Sequence, residues 1–299
     1  MARVEVYTTP SCPFCVRAKR LLEARGIPFG EIDVAGDEAL RVDIVRRTGR
    51  RTVPQIFIDG HPIGGYEELA VMDARGGPDV VPPPRVLVMA KHPVPGLVKT
   101  RLAARIGTTA AAALQAAFLR DLGARLAVTG LAVTWAVTPP DAPFHTIVAG
   151  AHTIAQIPGD LGARMTHAIG ALFAAGPAPV VTLGSDVPHL DPGALAEATV
   201  ALAGGADCVL GPARDGGYYL IALRAPAPAL FAGVAWGSDR VLEETRARAA
   251  ACGLRLHLLA PTFDVDSWDD LRALRALLVA GLVALPATAG VLAALPDEP

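Results

Sequence analysis

The stretch "TTPSCPFCVRAKRLL" (residues 8–22) places two cysteines two residues apart, behind the alternating "VEVYT" and ahead of a run with helical spacing of its apolar residues. The alternation predicts a strand and the run a helix, so the CxxC sits at a strand-to-helix junction. At that junction the unpaired N–H groups and the helix dipole stabilise a thiolate. Cysteines so placed fall from about 8.5 to roughly 3.5–7.5. Cys12 is therefore read as the nucleophile, and Cys15, one turn deeper, as the thiol that resolves a mixed disulfide. Pro13 suits a first helical position. Idle thiols or half of a zinc site are the alternatives, and the first 80 residues hold no second Cys pair to complete such a site.

Working outward, residues 1–75 read as strand 3–8, helix 14–25, strand 29–33, helix 37–48, strand 55–59, a hairpin partner at 61–63 and helix 66–73. "ARGGPDVVPPP" (74–84) is rich in Gly and Pro and has no apolar period, which predicts a linker over 76–84. From 85 to 299 strands such as "RVLVMA", "APVVTLG" and "CVLGPA" alternate with helices such as 108–127, 161–174 and 193–203. That pattern predicts an α/β domain with a mostly parallel sheet. A chain of 299 residues has room for two cores.

Charge and composition exclude several classes. With 27 Lys plus Arg against 29 Asp plus Glu and no basic run, nucleic acid is not an expected partner. Four cysteines are too few for a secreted disulfide scaffold, and "MARVEVYTTP" lacks an export signal's basic start and apolar region, so a cytoplasmic location is expected. The tail "ALLVAGLVALPATAGVLAAL" (276–295) has the length of a membrane span but is split by Pro286. Two buried terminal helices and no membrane partner are expected.

Only three of the 27 cationic side chains are lysines, and two of them lie in "AKHPVPGLVKTRLAARIG" (90–107). A strand, a bend at Gly96 and a helix start carrying Lys91, Lys99 and Arg101 together form a candidate nucleotide-phosphate cradle. A solvated charged turn is the alternative. "VVTLGSDVPHL" (180–190) delivers Asp186 at a strand's carboxyl end, where ligands bind in open α/β sheets and where a carboxylate suits Mg²⁺ or Mn²⁺. A helix cap is the other role open to it. In "FDVDSWDDL" (263–271), Ser267 with Asp270 reads as a capping box, leaving Asp266 as a second metal-ligand candidate. Asp215, at the bend of "GPARDGGYYLIAL", is the candidate catalytic carboxylate of an acceptor pocket, with one of Tyr218 and Tyr219 lining that pocket and the other in the core. An ordinary hairpin turn is the alternative. His189 is expected on the surface, and Cys208 and Cys252 are expected to be inert.

"YTTPSCPFC", "RTVPQIFIDG" and "IGGYEEL" resemble the three signatures of the glutaredoxins, over residues 2 to about 74. The resemblance implies a thioredoxin-like fold, glutathione as substrate and a cis proline at Pro54. It also implies that Thr52, Val53 and Pro54 pair the glutathione backbone, while Gly64, Gly65, Tyr66 and Glu67 hold its glutamyl end. Thr9 stands where many members carry Lys, and Arg51 with Lys19 are the cations that could compensate.

"HPVPGLVKTRL", "GDLGARM", "GSDVPHL", "GPARDGGYYLIAL", "WGSDRVLEET" and "DVDSWDDL" resemble a bacterial GT-A type family of arsenosugar-biosynthesis glycosyltransferases associated with radical-SAM genes, over about 85–299. This implies a nucleotide-diphospho-sugar transferase-like α/β/α fold and a nucleotide-sugar donor, while the fusion to a redox domain, and not the resemblance, points to a small-molecule acceptor whose thiol, arsenic or selenium atom must be reduced. A single Asp in "GSDVP", where many such enzymes have DxD, is closer to the nucleotidyltransferases. Release of pyrophosphate instead of a nucleoside diphosphate, or a non-catalytic nucleotide-binding module, are the other readings.

Overall fold

The computed structural model describes residues 4–58, 60–74 and 82–295. The chain forms two compact units, residues 1–83 with 199–206 and residues 84–198 with 207–299, and most of the predicted linker, 76–81, lies outside the described residues.

The N-terminal unit runs β1 (Val4–Thr8), α1 (Pro13–Ala24), β2 (Phe29–Asp33), α2 (Glu38–Thr48), β3 (Gln55–Ile58), β4 (His61–Gly64) and α3 (Tyr66–Ala74). Its sheet has the order β2-β1-β3-β4, with β1 parallel to β2 and β3 antiparallel to both β1 and β4. This is the predicted thioredoxin-like arrangement. Alternation along β1 and β3 feeds two small cores. Val4, Val6, Ile56 and Ile58 meet Ala18 and Leu22 of α1 and Leu69 and Met72 of α3 on one face. Tyr7 and Phe57 meet Val34 and Ile44 on the other. Asp37 caps α2 through the Leu40 N–H at 2.9 Å, and Gly49, at φ 69°, ends it.

The C-terminal unit continues with β5 (Arg85–Lys91), α4 (Thr100–Ile106), α5 (Thr108–Ala127), β6 (Val133–Thr138), β7 (His152–Ala155), α6 (Leu161–Ala174), β8 (Val180–Gly184) and α7 (Pro192–Ala203). It ends with β9 (Cys208–Pro212), β10 (Tyr218–Leu223), α8 (Val241–Ala251), β11 (Leu256–Leu258), α9 (Trp268–Val279) and α10 (Pro286–Leu292). The seven strands lie in the order β11-β9-β10-β8-β5-β6-β7. Every strand runs in one direction except β10, which is antiparallel to β8 and β9. Leu87, Leu210 and Ile221 of the sheet pack against Met165, Ile169 and Leu172 of α6 and Ala249 of α8. A second cluster joins Leu102, Leu114, Phe118, Leu271, Leu274 and Leu292 of α4, α5, α9 and α10.

Two features of this topology position the site. The chain moves outward from the central β5 to β6 on one side and returns to β8 on the other, which makes the carboxyl ends of β5 and β8 a topological switch point. Because β8, β9 and β11 all run parallel to β5, the segments that follow them emerge at that same edge.

Pro286 does open a second helix, but the terminal pair is buried on one face only: Val279 is 90% and Leu282 72% exposed. The buried Asp121 of α5 caps α10 by accepting from the Ala287 and Thr288 N–H groups at 3.0 and 2.8 Å. Among the described residues no helix is long and apolar enough to cross a membrane.

Candidate functional sites

In the N-terminal unit Cys12 is the N-cap of α1, with β-region backbone and its Sγ accepting from the Cys15 N–H at 3.1 Å. The two cysteines are joined as a disulfide. Cys15 is 1% exposed whereas Cys12 is half-buried, so the sulfur at the helix N-terminus is the one open to attack. The Val53–Pro54 peptide is cis, and the Val53 carbonyl oxygen lies 3.4 Å from Cys12 Sγ. Beyond the proline, a Cβ on Gly65 would stand 3.2 Å from the Pro54 oxygen. The Gly65 N–H is held by Glu68 Oε2 at 2.8 Å. Tyr66 opens α3 beside Phe14, with the Arg17 guanidinium 4.8 Å from its ring centre, and Glu67 is exposed.

Beside the cysteines an open groove of about 660 Å³ is lined by Thr9, Arg41, Arg51, Thr52 and Val53. Arg51 is exposed there and available to an anion. Lys19 does not join it, because its ammonium pairs with Glu31 at 2.7 Å. Glu31 accordingly titrates below the usual carboxylate range, through its bonds from Lys19 and Thr8.

In the C-terminal unit the carboxyl edge of the sheet gathers one lysine and four aspartates. Lys99 follows β5 and immediately precedes α4; Asp186 follows β8; Asp215 lies in the β9–β10 turn; Asp264 and Asp266 follow β11. The Val265 N–H donates to the Asp186 carbonyl at 2.9 Å, tying the last two loops together. Lys99 Nζ donates to Asp186 Oδ1 at 2.5 Å and to Asp266 Oδ1 at 2.8 Å, so the two carboxylates converge on one cationic atom. The Lys99 side chain is 3% exposed, against 40% for Asp186 and 42% for Asp266. Burial pulls the ammonium's pKa down, but the two carboxylates outweigh it and hold it above the ordinary lysine value. Neither carboxylate caps a helix. Asp191 serves α7 through the Gly193 N–H at 2.9 Å, and the predicted Ser267–Asp270 capping box starts α9.

Asp264, which lies at the same strand end as Asp266 and to which the sequence assigns no role, belongs to this cluster. Phe263 and Val265 are 7% and 0% exposed, so period-two alternation turns Asp264 and Asp266 together to the opposite side. Burial raises the Asp264 carboxyl to about 7, helped by the fields of Asp186, Asp215 and Asp266 and opposed by Lys99. Asp215 itself is exposed and accepts from the Gly217 N–H at 2.9 Å.

Several expectations need correction. Lys91 anchors the loop it begins, donating to the Leu97 carbonyl at 2.6 Å, while Gly96 supplies the bend at φ 81° and Arg101 stands exposed on α4. Both tyrosines turn their hydroxyls inward. Tyr219 is 4% exposed with its hydroxyl on the Ala260 carbonyl at 3.2 Å, and Tyr218 packs edge-on to Trp236 over the sheet's core with its hydroxyl buried. Successive residues of a strand face opposite sides, and here both sides are covered, Tyr218 by the core that α6 and α8 complete and Tyr219 by the segment after β11. His189 is not a surface residue: it is 7% exposed, its ring tilted against that of Phe263 with centres 4.3 Å apart, and its pKa is lowered to about 4 by burial and by Arg125 and Arg214. The expected Mg²⁺ or Mn²⁺ does not fit the arrangement found. The position between Asp186 and Asp266 is taken by the Lys99 ammonium, and among the described residues no three His, Cys, Asp or Glu side chains are grouped to hold a metal ion.

A CxxC at a helix N-terminus facing a cis X-Pro on a four-stranded mixed sheet defines a thioredoxin-like thiol oxidoreductase domain. The glutaredoxin family matches residues 4–63. Glutaredoxin 3 of Escherichia coli strain K12 is 52% identical over 79 residues, which is 26% of this chain and 95% of that protein. The glutaredoxin of Pseudomonas aeruginosa is 41% identical over 81 residues, or 27% and 96% of the two chains. Through its N-terminal unit, the chain belongs to the glutaredoxin family. Residues 121–238 match a family described as "Uncharacterized protein conserved in bacteria (DUF2064)". A crystal structure from Desulfovibrio desulfuricans G20, described as a "putative nucleotide-diphospho-sugar transferase", is similar with a TM-score of 0.64 and 32% identity. The match covers 69% of this chain and 92% of that one, and the C-terminal unit has this fold.

Proposed function

We propose that the chain joins a glutathione-dependent dithiol oxidoreductase to a transferase that takes its donor from a nucleotide-diphospho-sugar. For the first half, the observation that carries the reading is Cys12 at the start of α1, accessible, 3.4 Å from the Val53 carbonyl and backed by a buried Cys15. The thiolate of reduced Cys12 attacks one sulfur of a disulfide, breaking its S–S bond and expelling the other sulfur as a thiolate that takes up a proton. The resulting mixed disulfide is resolved by Cys15 or by a second glutathione. Thr52, Val53, Pro54, Gly65, Tyr66, Glu67 and Arg51 are proposed to hold the glutathione.

For the second half, the carrying observation is the convergence of Lys99, Asp186 and Asp266 at the carboxyl edge of a parallel sheet similar to that of the Desulfovibrio structure. Lys99 offsets the charge of Asp186 and Asp266 so that a diphosphate can approach, the exposed Arg101 supplies positive charge to it, Gly96 lets the loop come close, and Lys91 keeps that loop bent. Asp215 is the proposed acceptor-side carboxylate. The Lys99 ammonium between Asp186 and Asp266 stands where Mg²⁺ or Mn²⁺ is expected from the sequence. Fusion to a dithiol domain supports an acceptor whose thiol, arsenic or selenium atom must be reduced before it attacks the sugar.

Nucleotidyl transfer is the second reading, favoured by the meeting of a lone Asp after β8 with an Asp from the "DVDS" segment. Product analysis separates the two. Incubation of the full chain with nucleotide sugars and thiol acceptors should release a nucleoside diphosphate; pyrophosphate released from a nucleoside triphosphate would replace the first reading with the second. A donor that binds at about 100 times its dissociation constant stabilises the folded unit by roughly 2.7 kcal/mol, so a thermal-shift screen finds it first.

A further inference from the structure

Lys99 has four properties that coincide nowhere else in the described chain. It is one of only three lysines, and apart from the glycines it is the one described residue with positive φ, at 47°. Its side chain is 3% exposed, and its ammonium bonds to two carboxylates from different loops. A non-glycine residue is held in the left-handed region only where its surroundings over-determine it. Here they do: the Asp186 and Asp266 carboxylates lie at 2.5 and 2.8 Å, and the Phe118 ring centre lies 5.6 Å from Nζ. A compact ammonium with three rotatable donors suits that position, whereas a planar guanidinium does not, and this accounts for lysine in a chain that otherwise uses arginine.

We infer that Lys99 is the resident cation of the C-terminal site, held where a divalent ion would bridge Asp186 and Asp266, so that the site works without one and admits one only when Lys99 is removed. The carboxylates, each about two-fifths exposed, are neutralised from beneath by a buried side chain. A divalent ion between them would have to stand against that like charge, beside an aromatic ring that ligates nothing. The inference deepens the transferase reading and rests on it for what the site serves, but its test contains no nucleotide. The two therefore fail separately.

The test is titration of the metal-free, reduced full chain with Mn²⁺ alone, reading free Mn²⁺ by electron paramagnetic resonance. The unsubstituted protein and its Asp186→Asn variant should bind Mn²⁺ equally weakly, whereas Lys99→Met should bind it at least roughly tenfold more tightly, as removal of an adjacent like charge requires. Adding Asp186→Asn to Lys99→Met should abolish the gain. Micromolar binding by the unsubstituted chain that Asp186→Asn abolishes would overturn the inference, as would a folded Lys99→Met with no gain. If Lys99→Met does not fold, comparison of the unsubstituted chain with Asp186→Asn still decides: Asp186-dependent binding overturns the inference and its absence supports it.

Discussion

Replacing Asp264 by Asn should make the C-terminal unit more stable, by an amount that grows from about pH 4 and is complete above about pH 7. Burial and three neighbouring aspartates push this carboxyl to about 7, against about 3.9 for an unperturbed Asp. A shift of about 3 units at 1.36 kcal/mol each sets a ceiling of about 4 kcal/mol. The folded chain keeps a proton on Asp264 that the unfolded chain releases near pH 4. Between roughly pH 4 and 7 the native state therefore binds more protons, stability falls as pH rises, and the whole penalty is present above pH 7. The Asp264→Asn variant has no such titration. Its unfolding free energy should match that of the unsubstituted protein near pH 4 and exceed it by about 1–3 kcal/mol at pH 8, once solvent relaxation is allowed for. Urea unfolding in the presence of a chelator reads this directly, because all three tryptophans, Trp135, Trp236 and Trp268, lie in the C-terminal unit. A difference between variant and parent that stays the same at pH 4.5 and pH 8 would refute the argument.

His189 should act in the opposite sense over the same interval. Burial, then Arg125 and Arg214, lower it to about 4, so the stability gained by keeping it neutral is complete above pH 6.5 and is lost as pH falls toward 4. His189→Gln should remove that acid sensitivity, and denaturation midpoints between pH 4.5 and 7 should tilt in opposite directions for the His189 and Asp264 variants. Gly216→Ala, at φ 88°, would bring a Cβ to 2.1 Å from the Asp239 carbonyl oxygen; a loss of more than about 2 kcal/mol in urea unfolding is expected. Cys12→Ser should abolish glutathione-dependent disulfide reduction, while Cys15→Ser keeps deglutathionylation because glutathione resolves the mixed disulfide. Equal loss in a coupled glutathione reductase assay would reverse the assigned roles.

The N-terminal unit was almost wholly legible in the sequence because its information is local. A CxxC beside Pro13 at a strand-to-helix junction specifies its own geometry, and each strand is four or five residues long and bounded by its own turn or helix start. The α/β class of the second unit was legible for the same reason, since alternation of apolar strands and amphipathic helices survives without knowing which strands pair. The candidate phosphate loop and the two carboxylates were also visible, as chemistry placed at strand ends. What they do to one another was not. Lys99 and Asp266 are separated by 167 positions, and only the strand order β11-β9-β10-β8-β5 brings both to one edge with Asp186. A lysine read alone is a phosphate ligand; the same lysine buried between two carboxylates is a counter-ion already spoken for. The burial of His189 was hidden for a related reason. Burial belongs to the layers stacked on a strand or loop, and a polar residue's own sequence neighbourhood does not state whether a helix or a returning loop will cover it. Local propensity and periodicity determined the elements, while long-range register decided which charges meet.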